Sequence, residues 1–279
     1  MTGIYFRFLT KSKFRHSNKS NIHLFAICKS SFCKVYSSDI CIFLSNEISK
    51  INQNTTSVKY GDSIEKFSFV VPFFSLDSKA ASFLLGFKNS FIHNYVCRFC
   101  LTSINEFKST FLENNVELRS DEIYTNDYDN VPFLSEGKDF HGLTRTSPLF
   151  NFGVPHFHLI APPCIAHDVF EGVCVKITKL SLKYFLKRKI FKTSCFKFFF
   201  HQLDLKGTDK SSFPFINLDN IDSIRFTFHE SITFYRFYLF FISEHYEFSD
   251  PVFCLVKVLT TIVNILMQFS IRRDSLLML

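Results

Sequence analysis

The stretch PPCIAHDVFEG, residues 162–172, carries the features on which the fold and the function of this chain depend. Its two prolines keep the chain extended, because a proline ring fixes φ and disfavours helix in the residue before it. His167, Asp168 and Glu171 then follow within five residues, in what the pattern predicts to be the first turn of a helix. Carboxylates near a helix N-terminus are stabilised by the helix dipole without any functional role. The same residue types also suit a metal site, so both interpretations are open.

The chain after this stretch has helical periodicity. Apolar residues recur at helical spacing to about residue 189, and again over most of 190–279, with one polar break at 204–223. Asp168 and Glu171 are three residues apart and are expected on one helix face, while His167 and Glu171 are four apart on a neighbouring face. The sequence therefore predicts a helical C-terminal region that begins with an acidic corner.

The apolar run at 251–270 is close to the length of a membrane-spanning helix, about 20 residues. Lys257, Asn264 and Gln268 interrupt it. The preceding Ser249-Asp250-Pro251 predicts an N-cap with proline at the first helical position. A buried or amphipathic helix is therefore favoured, and a membrane-associated protein anchored by this run remains an alternative.

An aromatic and β-branched run, FSFVVPFFSLD at 67–77, ends in Asp77. Such a run is typical of a buried strand. Mg²⁺ prefers hard oxygen ligands and usually takes one or two carboxylates together with substrate phosphates. Asp77 is therefore the expected partner of Glu171 or Asp168 in a site for phosphoryl transfer.

Cys97-Arg98-Phe99-Cys100 is a Cys-x-x-Cys pair, whose two thiolates could hold one zinc ion at about 2.3 Å. His156 and His158 lie on the same side of an extended segment and could complete the site, or could be surface histidines beside a turn. A chance pair among nine cysteines and a redox dithiol are the alternatives to zinc. The candidate ligands downstream of the pair are His141, His156, His158, Cys164 and His167.

The composition and charge of the chain indicate where it is expected in the cell and what kind of partner it could bind. The 279-residue chain has a formal net charge of +7, which is compatible with a polyanionic partner, and the basic run Lys183–Lys192 could contact a phosphate backbone or be a solvated helix face. No secretory signal is visible, so reduced thiols and a nuclear or cytoplasmic location are expected, and not secretion. A small-molecule substrate is not expected.

The order of these pieces is more specific than any one of them. A predicted strand ending in Asp77 is followed by LLGFKNSF, CRFCL, the polar insert with RSDEIY at 119–124, SPLF and PPCIAHDVFEGV. This succession, over about 72–180, resembles the transposases of CACTA/En-Spm-like DNA transposons, where segments like "CRxC" and "PPDxMHDxxEGV" occur in the same order.

The resemblance implies an RNase H-like fold with a DDE/D triad, in which three carboxylates hold Mg²⁺ for attack on DNA phosphodiesters. Asp77 matches the second acidic residue, Glu171 matches the third, and Asp168 is the competing choice for the third. Cys97 and Cys100 match the zinc-type pair of the insertion, and His167 could join the zinc.

Two departures from the family pattern affect the expected activity. Cys164 stands where an Asp often follows the prolines, and the first 50 residues contain no Asp in a suitable strand context for the first acid. We therefore expect a truncated, transposon-derived protein that lacks catalytic activity. A non-enzymatic zinc-binding module for nucleic acid or protein is the alternative.

The expected fold class is α/β, and three regions are predicted. Residues 1–92 form a partial RNase H-like core, residues 93–160 form an insertion with the Cys-x-x-Cys pair, and residues 161–279 form the acidic-motif helix and the helical C-terminal region.

Overall fold

The computed structural model divides the chain into two compact units, unit 1 (Met1–Pro162) and unit 2 (Pro163–Leu279). The predicted boundaries at residues 92 and 160 stay predictions. The residues that the structure describes are 2–6, 23–28, 39, 42–43, 45–47, 49–50, 56–67, 73–88, 94–110, 112–135, 137–147, 149–150, 159–203, 205–206, 213–245 and 249–268.

The strands of the described residues form two separate antiparallel ladders in unit 1. The hairpin of β3 (Thr56–Tyr60) and β4 (Ser63–Phe67) turns at Gly61, whose φ of 61° favours glycine. The exposed side chains of this hairpin include Lys59, Ile64 and Lys66, so it lacks the continuous burial of a central sheet strand. The strands are β1 (Thr2–Phe6), β2 (His23–Cys28), β3 (Thr56–Tyr60) and β4 (Ser63–Phe67).

These ladders do not support the predicted α/β class, because the described part of the chain is mostly helical. The predicted strand at 67–77 is wrong at its C-terminal end. Phe67 is the last residue of a strand, but residues 73–77 belong to no ladder, although Phe74 N donates to Ile160 O at 2.7 Å, and residues 68–72 lie outside the described residues. The physical reason is local: Asp77 caps a helix that begins at the next residue.

Three short helices stand out among the described residues of unit 1, and two of them, the first and the third, contribute residues to a small apolar core. They are α1 (Ser78–Leu84), α2 (Ile104–Phe107) and α3 (Asp121–Asn130), and α2 has a full capping box between Ser103 and Glu106. Tyr124 of α3 is buried in the core and donates its hydroxyl hydrogen to Leu85 O at 3.1 Å. The buried core residues are Ala81, Leu85, Phe87, Tyr124, Val131, Leu143, Leu149, Ile160 and Ala161.

Unit 2 is helical throughout its described elements, which confirms the predicted helical C-terminal region. It opens with a widely wound, π-type stretch at Ala166–Cys174 that continues directly into the first long helix. The helices that follow this stretch are α4 (Val175–Lys187), α5 (Thr193–Gln202), α6 (Phe228–Ser243) and α7 (Pro251–Leu266).

Helix α6 forms the centre of the unit 2 core. A capping box of Thr227 and Glu230 starts the helix, and its buried side chains recur at helical spacing. Two of its buried tyrosines meet hydroxyls of α4: Tyr235 Oη lies 3.0 Å from Thr178 Oγ1, and Tyr238 Oη lies 2.8 Å from Ser181 Oγ. The two pairs have matching three-residue spacing on the two helices. Phenylalanines of α5 and α6 fill the space around them, including Phe196, Phe200, Phe234 and Phe241.

Helix α7 is the helix expected within 251–270, and it starts as predicted. Asp250 accepts hydrogen bonds from the backbone N–H groups of Val252 and Phe253, and Pro251 is the first helical residue. Asp250 also accepts a hydrogen bond from the Tyr184 hydroxyl at 2.7 Å, which ties the start of α7 to α4. Within the described part of the chain, every helix is too short or too polar to cross a membrane.

Candidate functional site

Asp77 is an exposed helix cap. Its Oδ1 accepts a hydrogen bond from Ala80 N at 2.7 Å, and its side chain is not at the end of a strand. This geometry satisfies one of the unpaired N–H groups at the start of α1. Asp77 belongs to unit 1, whereas Asp168 and Glu171 belong to unit 2.

Asp168 and Glu171 have different partners, and a π-type stretch stands in place of the ordinary helix on which their common face is predicted. Asp168 Oδ2 accepts from Cys164 N at 3.0 Å, which folds the carboxylate back onto the start of the helix. Glu171 Oε1 accepts from Phe228 N at 3.2 Å, at the start of α6. The physical reason is the wide winding of this stretch, because i→i+5 hydrogen bonds change which residues share a face.

His167 and Glu171, which are four residues apart, have neighbouring side chains in the structure. His167 Nε2 lies 3.9 Å from Glu171 Oε2, with 55% and 36% of the two side chains exposed. On its other side, His167 Nδ1 lies 2.9 Å from Cys164 Sγ. The ring therefore lies between a thiol and a carboxylate.

This cysteine–histidine contact is the arrangement that reasoning from the sequence missed. From the sequence, Cys164 is a candidate zinc ligand and a departure from the family pattern. The signal was available, since Cys164 precedes His167 by three residues at the start of a helix, a spacing that brings side chains together.

The Cys-x-x-Cys pair forms a tight turn in unit 1. Phe99 N donates to Cys97 Sγ at 3.4 Å, and the Cys97 and Cys100 side chains are hydrogen-bonded neighbours. Burial raises the pKa of Cys97, and the backbone N–H groups of Phe99 and Cys100 oppose that rise. A Cys-x-x-Cys turn is the spacing that supplies two of the four ligands of a tetrahedral zinc site.

A complete metal site is not assembled by the described residues, which contain no group of three His, Cys, Asp or Glu suited to a metal ion. His156 and His158 lie outside the described residues. His167 belongs to unit 2, while Cys97 and Cys100 belong to unit 1. Zinc at the cysteine pair and magnesium at the carboxylates therefore stay predictions.

Arg98, between the two cysteines, is a structural residue that the sequence did not identify. Its side chain is buried, and Nη2 donates to Ala161 O at 2.9 Å and to Pro162 O at 3.1 Å. Its guanidinium also lies 4.4 Å from the centroid of the Phe99 ring. The CRFC turn is thereby fastened to the start of the PPCIAHDVFEG stretch.

Arg119 makes a second buried contact of this kind, and it opens the RSDEIY motif. Its Nη1 donates to Asp127 Oδ2 at 2.8 Å, with 0% and 3% of the two side chains exposed. Its Nη2 donates to His141 O at 2.8 Å, and His141 Nδ1 lies 2.9 Å from Asp127 Oδ1. Burial lowers the pKa of Arg119, and the charge of Asp127 opposes that effect. Arg119 N also donates to Phe99 O at 2.8 Å, which links this triad to the CRFC turn.

In the basic run Lys183–Lys192, one lysine forms an ion pair and three others are exposed without a lysine–carboxylate pair being described for them. Lys183 Nζ lies 2.7 Å from Asp222 Oδ1, so one of its charges is neutralised at the surface. Lys187, Lys189 and Lys192 are exposed at the end of α4 and in the turn after it. These three lysines can approach a polyanion.

Comparison of the chain with protein-family models, with curated proteins and with solved structures found no match.

Proposed function

We propose that this chain is a transposon-derived protein that descends from a DDE transposase and binds DNA weakly without cutting it. The observation that carries the proposal is the order of motifs from Asp77 through CRFC and RSDEIY to PPCIAHDVFEG, which resembles that of CACTA/En-Spm-like transposases. An RNase H-like ancestry for the region around Asp77 is part of this proposal.

The long-range contacts of the motif residues support a common scaffold. Arg98 reaches the carbonyls of Ala161 and Pro162, and Arg119 reaches the backbone of Phe99, across separations of 63, 64 and 20 residues. The Arg98 bonds are made by a buried guanidinium, which needs several partners, and the Arg119 bond is made by its backbone N–H, so the motifs share a hydrogen-bonded framework.

The loss of DNA cleavage is supported by the local roles of the three acidic residues. Asp77 caps α1, Asp168 holds the backbone of Cys164, and Glu171 holds the start of α6 at Phe228. A two-metal phosphoryl-transfer site needs its carboxylates free to converge on the ions. Stabilising contacts at helix ends account for these three carboxylates without a catalytic role.

The weak DNA binding is assigned to the exposed lysine group of Lys187, Lys189 and Lys192. Exposed lysines bind phosphates by displacing condensed counterions, and this attraction does not depend on base sequence. Arg188 lies in the same group, with its guanidinium 4.7 Å from the centroid of the Tyr184 ring.

The cleavage half of the proposal is tested with supercoiled plasmid and the full chain in Mg²⁺ or Mn²⁺. We expect no nicking above background, and the same background for Asp77→Asn, which keeps the helix cap. Nicking by the wild type that Asp77→Asn or Glu171→Gln abolishes would refute it.

The binding half is tested by titrating a labelled duplex at several salt concentrations. Replacing Lys187, Lys189 and Lys192 with Gln should weaken binding and reduce the slope of log K against log salt by about 2.7, at about 0.9 per phosphate contact. The matched control replaces three exposed lysines of unit 1 and should leave the slope unchanged; these are Lys79, Lys108 and Lys138. Equal effects of the two triple variants would refute the assignment to this surface.

A further inference from the structure

We propose that Cys164 is a reactive cysteine that hydrogen peroxide oxidises to a sulfenic acid, with His167 as the base that takes the thiol proton. This inference concerns a site in unit 2 and does not depend on transposase ancestry or on DNA binding. It rests on the contact between a partly exposed thiol and an imidazole, and on the groups that hold both in place.

The imidazole is placed to accept the proton. His167 Nδ1 lies 2.9 Å from Cys164 Sγ, within the reach that a nucleophile and its base require. Glu171 Oε2 lies 3.9 Å from Nε2 on the opposite side of the ring. Glu171 is itself held by the N–H of Phe228.

Two hydrogen bonds to Asp168 hold the backbone that carries the thiol. Asp168 Oδ2 accepts from Cys164 N at 3.0 Å, and Asp168 N donates to Cys164 O at 2.8 Å. This reciprocal pair fixes the backbone of Cys164 from both sides. The side chain is partly exposed, so a small oxidant can reach the sulfur.

The reaction balances with peroxide as the only co-reactant. His167 Nδ1 takes the proton from Cys164 Sγ while the sulfur attacks one oxygen of hydrogen peroxide. The S–O bond forms as the O–O bond breaks, so the sulfur loses two electrons and the peroxide gains them. The departing hydroxide takes the proton back from the imidazolium, which leaves water, a neutral imidazole and a sulfenic acid.

The surrounding charge favours a neutral oxidant. The carboxylate of Asp168 contacts the backbone of Cys164, and that of Glu171 lies beside the His167 ring, so an anionic disulfide such as oxidised glutathione would be repelled. Hydrogen peroxide carries no charge and is small enough to approach a partly covered sulfur.

Other cysteines in the chain provide internal references. Cys174 is fully buried, and burial raises its pKa to about 12, which makes it inert. Cys254 is exposed on α7 and is accessible to the same reagents. Reactivity that followed exposure alone would therefore favour Cys254 over Cys164.

The experiment treats the full chain with hydrogen peroxide in the presence of dimedone, which traps sulfenic acids, and follows each cysteine by peptide mass spectrometry. We expect Cys164 to be labelled about tenfold faster than Cys254, a modest share of what a positioned base contributes. Fragment ions distinguish Cys164 from Cys174, which lies between the same two trypsin sites, after Arg145 and Lys176.

The His167→Gln variant should bring the rate at Cys164 down to that of Cys254 while the rate at Cys254 stays unchanged. An unchanged Cys254 rate and an unchanged circular dichroism spectrum show that the variant is folded. The proposal is overturned if Cys164 reacts no faster than Cys254 in the wild type. It is equally overturned if His167→Gln leaves the Cys164 rate as it was, because the imidazole would then have no part in the reaction.

Discussion

Replacement of Asp127 by Asn should destabilise unit 1 strongly. Asp127 is the carboxylate that compensates Arg119, and both side chains are almost completely removed from solvent. The substitution keeps the size of the side chain and removes its charge. Arg119 would then be a buried cation without a compensating charge, in contact with the carbonyl of His141 and the ring of Phe87.

The expected loss follows from the burial of the pair. Removal of one partner of a buried ion pair costs about 3–5 kcal/mol, since it leaves an uncompensated charge in the interior. The Asn oxygen can still accept one hydrogen bond from Arg119, so we expect the lower end, about 3 kcal/mol. For a unit of this size, that corresponds to a fall of about 6–12 °C in Tm.

Hydrogen exchange pulse labelling along a urea titration measures this loss, because peptides from 112–135 report on unit 1 separately from unit 2. Asp129→Asn is the matched control, since it removes a carboxylate from the exposed side of the same helix. We expect its effect to stay within about 0.5 kcal/mol. Joint replacement of Arg119 by Met and Asp127 by Leu should recover part of the stability. Equal midpoints for Asp127→Asn and Asp129→Asn would refute the buried ion pair.

Two further predictions concern backbone space and pH. Gly86→Ala should destabilise unit 1 in thermal unfolding much more than Gly137→Ala does. Both glycines have φ above 80°, but a Cβ at Gly86 would collide with the carbonyl oxygen of Arg145, whereas a Cβ at Gly137 would meet open space. Equal losses of stability would contradict this clash. Burial raises the pKa of Tyr235 and Tyr238, so the stabilisation that depends on their neutral form is complete below the unfolded pKa of about 10 and is lost as pH rises above it. Tyr238→Phe should cost about 1 kcal/mol at neutral pH and reduce the alkaline slope of stability by about 1.4 kcal/mol per pH unit, measured by urea unfolding between neutral and strongly alkaline buffers; an unchanged slope would contradict the buried hydroxyl.

Local signals in the sequence were sufficient for the helices of unit 2. The Asp250-Pro251 start of α7 could be predicted because its cap involves residues two and three positions away. The strand ending in Asp77 was predicted from an apolar run, but the short-range cap from Asp77 to Ala80 decided the conformation instead. Capping outweighed β propensity here because the latter depends on neighbouring strands that the described residues do not supply.

The buried arginines could not be predicted, because their partners are distant in sequence. Arg98 binds carbonyl groups at Ala161 and Pro162, and carbonyl groups leave no residue-type signal. Arg119 pairs with Asp127 only eight residues away, but RSDEIY contains other acids and the sequence does not single out one of them. The acidic corner was predicted with the winding of an ordinary helix, and the wide winding of the stretch redirected its side chains.

The hydrogen-bonded tyrosine hydroxyls between α4 and α6 restrict the register in which these two helices can pack. Sliding one helix past the other by a single turn, about 5.4 Å, would keep apolar surface in contact with apolar surface. Because both pairs have three-residue spacing, such a shift would bring Tyr238 beside Thr178 or Tyr235 beside Ser181, so only one of the two pairs could form again and one buried tyrosine hydroxyl would need a new partner. In a core made largely of interchangeable phenylalanines, these two polar pairs distinguish one register from its neighbours. Their contribution is to select which of several apolar packings the chain adopts.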